Sequence, residues 1–508
     1  MPKSFALFAG YDVNGYSSLW RTDGTSLGTV EVNPVGAYST GLSPSGIFGL
    51  NGHFVFSGRD AAGGFGLWTS DGTAGGTSEV AVNGAYSNGL TPYGFFYFDN
   101  SYFFNGLDAV ADRGLWKSDG TTAGTVEIAV NGANSSGLNP NGFVNLNGRL
   151  YFSGHDAAGY YGLWQSDGTA AGTNELYVLN VNTSGSGLNP TSIVKMNDHL
   201  YFTGVDGAGH YGLWASDGTG QGTVELNVAN VSSNGLVPVN LTVLNDSTLF
   251  FRGQDAAGHW GLWKSDGTAN GTTEITVNGA PASGIFPSQF FVHNGLVFFE
   301  GTDAAGLNGL WVTDGTTAGT HEINVSGAYS SGLVPSNFAE VNGALLFDGR
   351  NATGQNGLWT TDGTTAGTHE IAVGGAYSGI AGLSPGSIIS SNFKPTNDFN
   401  GDATSDLLFQ GSDGTVITWN MWDHFHKGYA TSAVSVNWQL QKTGDFNGDG
   451  QSDLLWRDNT GEVVSWTMND HAHTGFDFGH VDTTWQIVAT GDFKLRWQVR
   501  HPLAGHDW

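Results

Sequence analysis

Hydrophobic and polar residues alternate in short runs through the first three quarters of the chain, and each run is closed by Gly, Asn-Gly or Asp-Gly. A period of two marks a half-buried strand, and these closing residues are the ones that tight reverse turns demand. In the stretch Ser45–Pro92 the pattern predicts four strands, Gly46–Leu50, His53–Gly58, Gly66–Ser70 and Ser78–Val82. They are joined by Asn51-Gly52, a strong two-residue hairpin signal, by Asp60-Ala61-Ala62-Gly63 and by Asp71-Gly72-Thr73. Only Asn83–Pro92 is long, so it is the link to the next unit and the four strands form one antiparallel meander.

That unit recurs. Leu-Trp-x-(Ser/Thr)-Asp-Gly-Thr occurs eight times, with its tryptophan at Trp20, Trp68, Trp116, Trp164, Trp214, Trp263, Trp311 and Trp359, at spacings of 48, 48, 48, 50, 49, 48 and 48 residues. A fixed period of this length is one supersecondary block stacked on copies of itself. The first copy lacks its first strand and begins with Ser4–Gly10 in the second-strand place, while one orphan strand, Ser387–Ser391, follows the eighth copy. Pairing the two completes an eighth sheet and removes the exposed edges of the array, a device for which an open β-solenoid has no use. The expected fold is all-β: an eight-bladed β-propeller of four-stranded antiparallel blades over residues 1–391, closed by one C-terminal strand and three N-terminal strands. A small β module over 392–490 and a truncated or divergent tail over 491–508 follow.

The extended run Leu-Trp-x-(Ser/Thr)-Asp-Gly-Thr-x-x-Gly-Thr resembles a repeat of large bacterial extracellular proteins, often written with Glu before the Leu-Trp, for which the resemblance implies a β-propeller. Here that place holds Ser18, then Gly66, Gly114, Gly162, Gly212, Gly261, Gly309 and Gly357. The departure weakens any role tied to that Glu, and the resemblance implies architecture rather than ligand.

Composition narrows the partners. A formal charge of -28 with only 17 Lys and Arg argues against nucleic acid, whose phosphates are gripped by cationic side chains. The 80 glycines suit many tight turns. The absence of cysteine excludes disulfides and thiolate metal sites. No apolar run reaches membrane-spanning length, and the five-residue apolar stretch before Tyr11 is too short for a signal-peptide core, so export is expected by a route without a standard N-terminal leader.

Residues that recur eight times are read first as scaffold. The Asp of each Asp-Gly-Thr caps backbone N–H groups of its turn, and each Trp packs between blades. Glu31, Glu79, Glu127, Glu175, Glu225, Glu274, Glu322 and Glu370, on the outermost strand, are expected to form a solvated acidic rim.

Variation is confined to one face, where the turns between second and third strands meet the long links. Tyr160, Tyr161, His210, Tyr211, His259 and Trp260 mark three consecutive turns, and Tyr38, Tyr86, Tyr329 and Tyr377 lie on links that ring closure makes neighbours. Half-polar aromatic rings beside Asp156, Asp206 and Asp255 have the chemistry of a ligand-binding surface for glycans; alternatively they fold over the blade tops. The second strand offers a further irregularity: the residue before its Gly is small or polar in most units but is Arg252, Glu300 and Asp348 in the last three. A salt-bridged seam is the preferred reading over an acid–base pair.

In the C-terminal module, Asp445, Asn447, Asp449, Gln451 and Asp453 place oxygen ligands at alternate positions of a tight loop turned by Gly450, a spacing that wraps calcium. An earlier copy offers Asp398, Asn400, Asp402, Thr404 and Asp406, with Ala403 at the turn position. These loops, with Trp419-Asn420-Met421 and Trp466-Thr467-Met468, closely resemble FG-GAP/VCBS repeats of bacterial surface and secreted proteins, which implies bound Ca2+. His424-x-His426 and His471-x-His473 recur at one repeat position and are expected to be surface histidines rather than a zinc or nickel site.

The expectation is thus a non-catalytic extracellular or cell-surface binding or adhesion protein, lectin-like and calcium-stabilised, contacting a glycan or matrix component. Alternatives are a polysaccharide lyase or hydrolase with a site in the propeller channel, and a self-associating surface protein joined through the incomplete C-terminal module.

Overall fold

In the computed structural model the described residues are 5–50, 52–182, 185–379, 381–390, 407–411, 413–422, 425–444, 452–469 and 472–482; among them every regular element is a strand and none is a helix. The chain divides into Ser4–Asn392 and a second unit made chiefly of Phe393–Trp508, each described by itself.

The first unit holds eight four-stranded antiparallel sheets, numbered I to VIII here. Sheet II is typical, with strands Ser45–Leu50, His53–Arg59, Phe65–Ser70 and Ser78–Val80 in sequential order from the inside outward. Sheets III to VIII repeat it from Tyr93 to Ile371. Sheet I takes its inner strand, Gly386–Ser390, from the far end of the unit, antiparallel to Ala6–Tyr11, with Ser17–Thr22 and Val30–Val32 outside. Each inner strand lies beside the inner strands of the sheets before and after it, and the series returns from Gly386–Ser390 to Ser45–Leu50. This all-β array is the arrangement of a β-propeller.

Two kinds of contact bind one sheet to the next, backbone hydrogen bonds at the links and apolar side chains in the seams. Each link ends in Gly-(Leu/Ile)-x-Pro, and two hydrogen bonds leave it in opposite directions. In the link after sheet II the Thr91 N–H donates to Phe65 O of the sheet just completed (2.8 Å), and Leu90 O accepts from Leu107 N–H of the sheet to come (2.8 Å). The same pair recurs at every link, and at closure it reads Ser384 N–H to Asn356 O (3.1 Å) and Tyr11 N–H to Leu383 O (2.8 Å). Glycine is required at the head of the motif: Gly89 has φ +109°, and a Cβ there would stand 2.4 Å from Phe65 O.

Side chains fill what the backbone frames. Trp68 packs in one cluster with Leu7, Leu19, Val32 and Phe56, so it plugs the seam between sheets I and II as expected. Its indole N–H donates to Gly58 O at 3.0 Å, and its ring occupies the space that a Cβ on Gly58 would need. The turn aspartate also takes its expected part: Asp71 Oδ1 accepts from Thr73 N–H (2.8 Å) and Thr73 Oγ1 (2.7 Å).

In the second unit, Leu407–Gln410, Thr415–Trp422 and Phe425–Ala433 form one antiparallel sheet and Trp438–Gly444, Asp453–Asp458, Glu462–Asn469 and Ala472–His480 another. Val416, Leu454, Trp456 and Met468 make its buried core.

If the links carry the assembly, Gly89→Ala should cost roughly 1–3 kcal/mol in chemical denaturation. Gly75→Ala, where nothing lies within 4 Å of the new Cβ, should stay within about 0.5 kcal/mol of the parent.

Candidate functional site

The aromatic residues of the variable face are largely spent on holding it together. The rings of Tyr38, Tyr329 and Tyr377 lie over Gly63, Gly354 and Gly15 of the neighbouring turns, and the Arg59 guanidinium stacks on Tyr38 at 4.1 Å. Tyr86 is half-buried and donates its backbone N–H to Leu107 O. Tyr161 accepts from Asn139 Nδ2 at 2.8 Å and packs on His155 at 3.8 Å, while the half-buried Tyr160 gives its backbone N–H to Asp156 Oδ1. Trp260 lies under the Arg252 guanidinium at 4.5 Å. Only His210, Tyr211 and His259 are exposed, and both histidines turn toward their own turn carboxylates, Asp206 at 3.5 Å and Asp255 at 3.4 Å.

The outer-strand glutamates Glu79, Glu127, Glu175, Glu274 and Glu370 are exposed, as the solvated rim requires, and Glu31, Glu225 and Glu322 are half-buried, but their carboxylates do not stand free. Glu79 folds back so that Oε1 sits 2.2 Å from where a Cβ on Gly66 would be. Glycine stands before the Leu-Trp because the carboxylate occupies the room a side chain would need.

Arg252, Glu300 and Asp348 occupy one register position, each on the second strand of sheets VI, VII and VIII, opposite Val239, Ser288 and Ser336 of the inner strands. The salt-bridged seam does not form: none of the three is ion-paired among the described residues. Each is held within its own sheet instead. Glu300 accepts from Ser288 Oγ (2.6 Å) and Asn308 Nδ2 (2.8 Å). Asp348 repeats the pattern with longer bonds, from Ser336 Oγ (3.4 Å) and Asn356 Nδ2 (3.5 Å). It is only 7% exposed, and its Oδ1 is buried without a hydrogen-bond partner. Burial pushes the Asp348 carboxyl from its ordinary 3.8 up to about 7, against the pull of the Ser336 hydroxyl and Arg350.

The inner strands of the same three sheets also depart from the others. Each begins with a bulge whose second residue has positive φ. All eight inner strands share this bulge; sheets II, III and IV put Gly46, Gly94 and Gly142 there, I and V put Ser387 and Ser192, and VI, VII and VIII put the amides Asn240, Gln289 and Asn337. Just upstream, the residue before the link proline has positive φ in all eight links, from 42° at Thr91 to 51° at Val334, so this conformation belongs to the repeat; sheets VI to VIII differ in putting the bulkier Val237, Phe286 and Val334 there.

Two adjoining cavities share Gln289 and Phe290: one of about 240 Å3 lies on the inner strands of sheets VI and VII, and one of about 270 Å3 is lined by those of VII and VIII together with Ile47 of sheet II and Ser387, Ile388 and Ile389 of sheet I. Asn337 lines the larger, and its Nδ2 donates to Pro385 O (3.2 Å) and Ser336 Oγ (3.4 Å). A hydrogen-bonded chain thus runs from the cavity through Asn337 and Ser336 to Asp348. Sequence reading found the three charged residues but missed Ser288, Ser336, Asn308, Asn356 and the three amides. Aligning the eight units column by column and marking departures on the first and third strands would have found them.

Of the ten proposed calcium ligands only Asp453 is described; Asp398, Asn400, Asp402, Thr404, Asp406, Asp445, Asn447, Asp449 and Gln451 lie outside the described residues, as do His424 and His471. Asp453 is wholly buried, with Oδ1 accepting from Met468 N–H at 2.8 Å. His473 stacks on Trp466 at 3.8 Å.

No protein-family model and no curated protein matches the chain. Similar solved structures include a puromycin hydrolase (13% identity, TM-score 0.43, covering 76% of this chain and 61% of that one) and a puromycin-hydrolyzing peptidase of Mycobacterium tuberculosis (11%, 0.44, 67% and 56%). A prolyl endopeptidase is a third (9%, 0.42, 82% and 55%). The chain therefore spans less than two thirds of the length of each. The similar structures are all described as hydrolases or peptidases, which runs against the expectation of a non-catalytic adhesion protein and of a non-enzyme, but at these scores the likeness carries no activity to this chain.

Because Asp348 has a raised folded pKa, the native state keeps a proton that the unfolded chain releases. Its contribution is full below about 3.8 and disappears as pH rises through about 7. Asp348→Asn should therefore gain stability relative to the parent between pH 5 and pH 8, by up to about 3–4 kcal/mol, read from denaturant midpoints at each pH.

Proposed function

We propose that the first unit is an eight-bladed β-propeller and that its working site is the arc of sheets VI to VIII, where a small polar substrate enters the inner cavity and undergoes acid–base hydrolysis. The observation that carries this reading is the chain from cavity-lining Asn337 through Ser336 to the buried Asp348. A carboxyl titrating near pH 7 is matched to proton transfer at neutral pH in either direction. Glu300, tightly held by Ser288 and Asn308, supplies a fixed second carboxyl, and Arg252 a cation packed on Trp260. A cavity of about 270 Å3 lies just under the range that takes drug-sized ligands, which favours a small substrate or one end of a larger one.

The test is turnover of chromogenic esters and amides. Asp348→Asn should lower the rate by about 100-fold or more and remove a pH limb near 7. An unchanged rate and pH profile in that variant, or no turnover by the parent, would overturn the reading.

The second unit is proposed to be a calcium-binding module of FG-GAP/VCBS type, supported by the Asp-x-Asn-x-Asp spacing at Asp398–Asp402 and Asp445–Asp449. Hard oxygen donors at alternate positions suit a cation that takes six to eight of them. Chelation with EDTA should lower the melting temperature of this unit, because a ligand bound only to the folded form adds to stability; melting unchanged by EDTA would contradict the assignment.

A further inference from the structure

In sheet VIII the turn after the second strand carries Asn351, whose Oδ1 accepts from Thr353 and Gln355 N–H (both 3.1 Å) and whose Nδ2 donates to Glu370 Oε1 of the outer strand at 3.0 Å. Sheets II to VII place Asp60, Asp108, Asp156, Asp206, Asp255 and Asp303 at that position. The turn is the same: Asp60 Oδ1 accepts from Ala62 and Gly64 N–H at 2.8 and 2.9 Å, and Asp60 N–H pairs with Gly64 O as Asn351 N–H pairs with Gln355 O. The other carboxylate oxygen therefore stands where Asn351 holds its amide nitrogen, facing the outer-strand Glu. That Glu is fixed in turn, its Oε1 lying 1.9 to 2.2 Å from the missing Cβ of the strand glycine in all six sheets. Two acceptors meet where sheet VIII has a donor and an acceptor, and in sheets V and VI His210 Nδ1 and His259 Nδ1 also approach that Asp oxygen, at 3.5 and 3.4 Å.

We infer that in sheets II to VII the turn Asp and the outer-strand Glu share one proton, in an O–H···O hydrogen bond that replaces the Asn351–Glu370 bond and ties the edge strand to the turn. The proton is taken from solvent on acidification and returned to it on alkalinisation, so the ties open as pH rises. The charged groups facing each Glu fit this role. Asp60 faces Glu79, Asp108 and Asp112 face Glu127, Asp156 faces Glu175, and Asp303 faces Glu322. In sheets V and VI, Asp206 with His210 faces Glu225 and Asp255 with His259 faces Glu274. All six glutamates are held above the ordinary carboxylate range, first by burial and then by the partner Asp, and Glu175 reaches about 7. Sheet I, with Ser18 in place of the glycine, lies outside the set.

The experiment compares the full chain with a variant that copies sheet VIII into the other six, Asp60→Asn, Asp108→Asn, Asp156→Asn, Asp206→Asn, Asp255→Asn and Asp303→Asn. A Glu with a raised folded pKa stabilises below its unfolded value and loses that contribution as pH rises through the folded one. The parent's melting temperature should therefore fall from pH 5 to pH 8, and the variant's should fall much less. Infrared spectra of the parent at pH 6 should show protonated carboxyl absorption that titrates away above pH 7 and is diminished in the variant. Should the six-fold variant not fold, Asp156→Asn alone should remove part of that absorption. Equal pH slopes in parent and variant, or no protonated carboxyl at pH 6, would overturn the proposal. So would stabilisation of the parent by calcium or magnesium at pH 8 that the variant lacks, because the pairs would then be bridged by a cation. Asp348 is intact in both proteins, so failure here leaves the hydrolytic reading standing.

Discussion

The backbone stitch at each link is the constraint on which the rest depends. Gly-(Leu/Ile)-x-Pro gives one N–H backward and one carbonyl forward, so each sheet is hydrogen-bonded to both neighbours through a segment belonging to neither ladder. Such groups are costly to bury unpaired, and satisfying them here fixes the distance and the angle between consecutive sheets at once. Once these are set, tryptophans such as Trp68 close the seams, and Gly386–Ser390 falls beside Ala6–Tyr11 without any further device.

A frame held by main chain leaves side chains at equivalent positions free to diverge. Sheets II to IV keep glycine at the inner bulge and small or polar residues on the second strand. Sheets VI to VIII carry amides, an arginine and two carboxyls at the same registers, together with the bulkier Val237, Phe286 and Val334. The departures share one arc, and the three amides among them line the two cavities. That coincidence, more than any single residue, distinguishes this part of the ring.

The outer edge follows the opposite logic, with one carboxyl pair repeated around the ring and a single amide exception at Asn351. An exposed glutamate is folded back onto its own sheet, and in sheets II to VIII the glycine before Leu-Trp leaves room for it.

The sequence by itself determined the strands, their order in each unit, the turn chemistry of Asp-Gly-Thr and the burial of the tryptophans. These are set by periodicity and by local φ requirements, which operate within a few residues. It also exposed Arg252, Glu300 and Asp348 as departures from the repeat. Tertiary structure alone decided that these three would not pair with one another, that Ser336 and Asn337 would connect a cavity to Asp348, and that the link tyrosines would lie on glycines rather than stand free. Those outcomes depend on distances between residues far apart in the chain and on how much water the fold removes around a carboxyl. Neither quantity is encoded in spacing, because spacing specifies which residues share a register and not how close the ring brings their side chains.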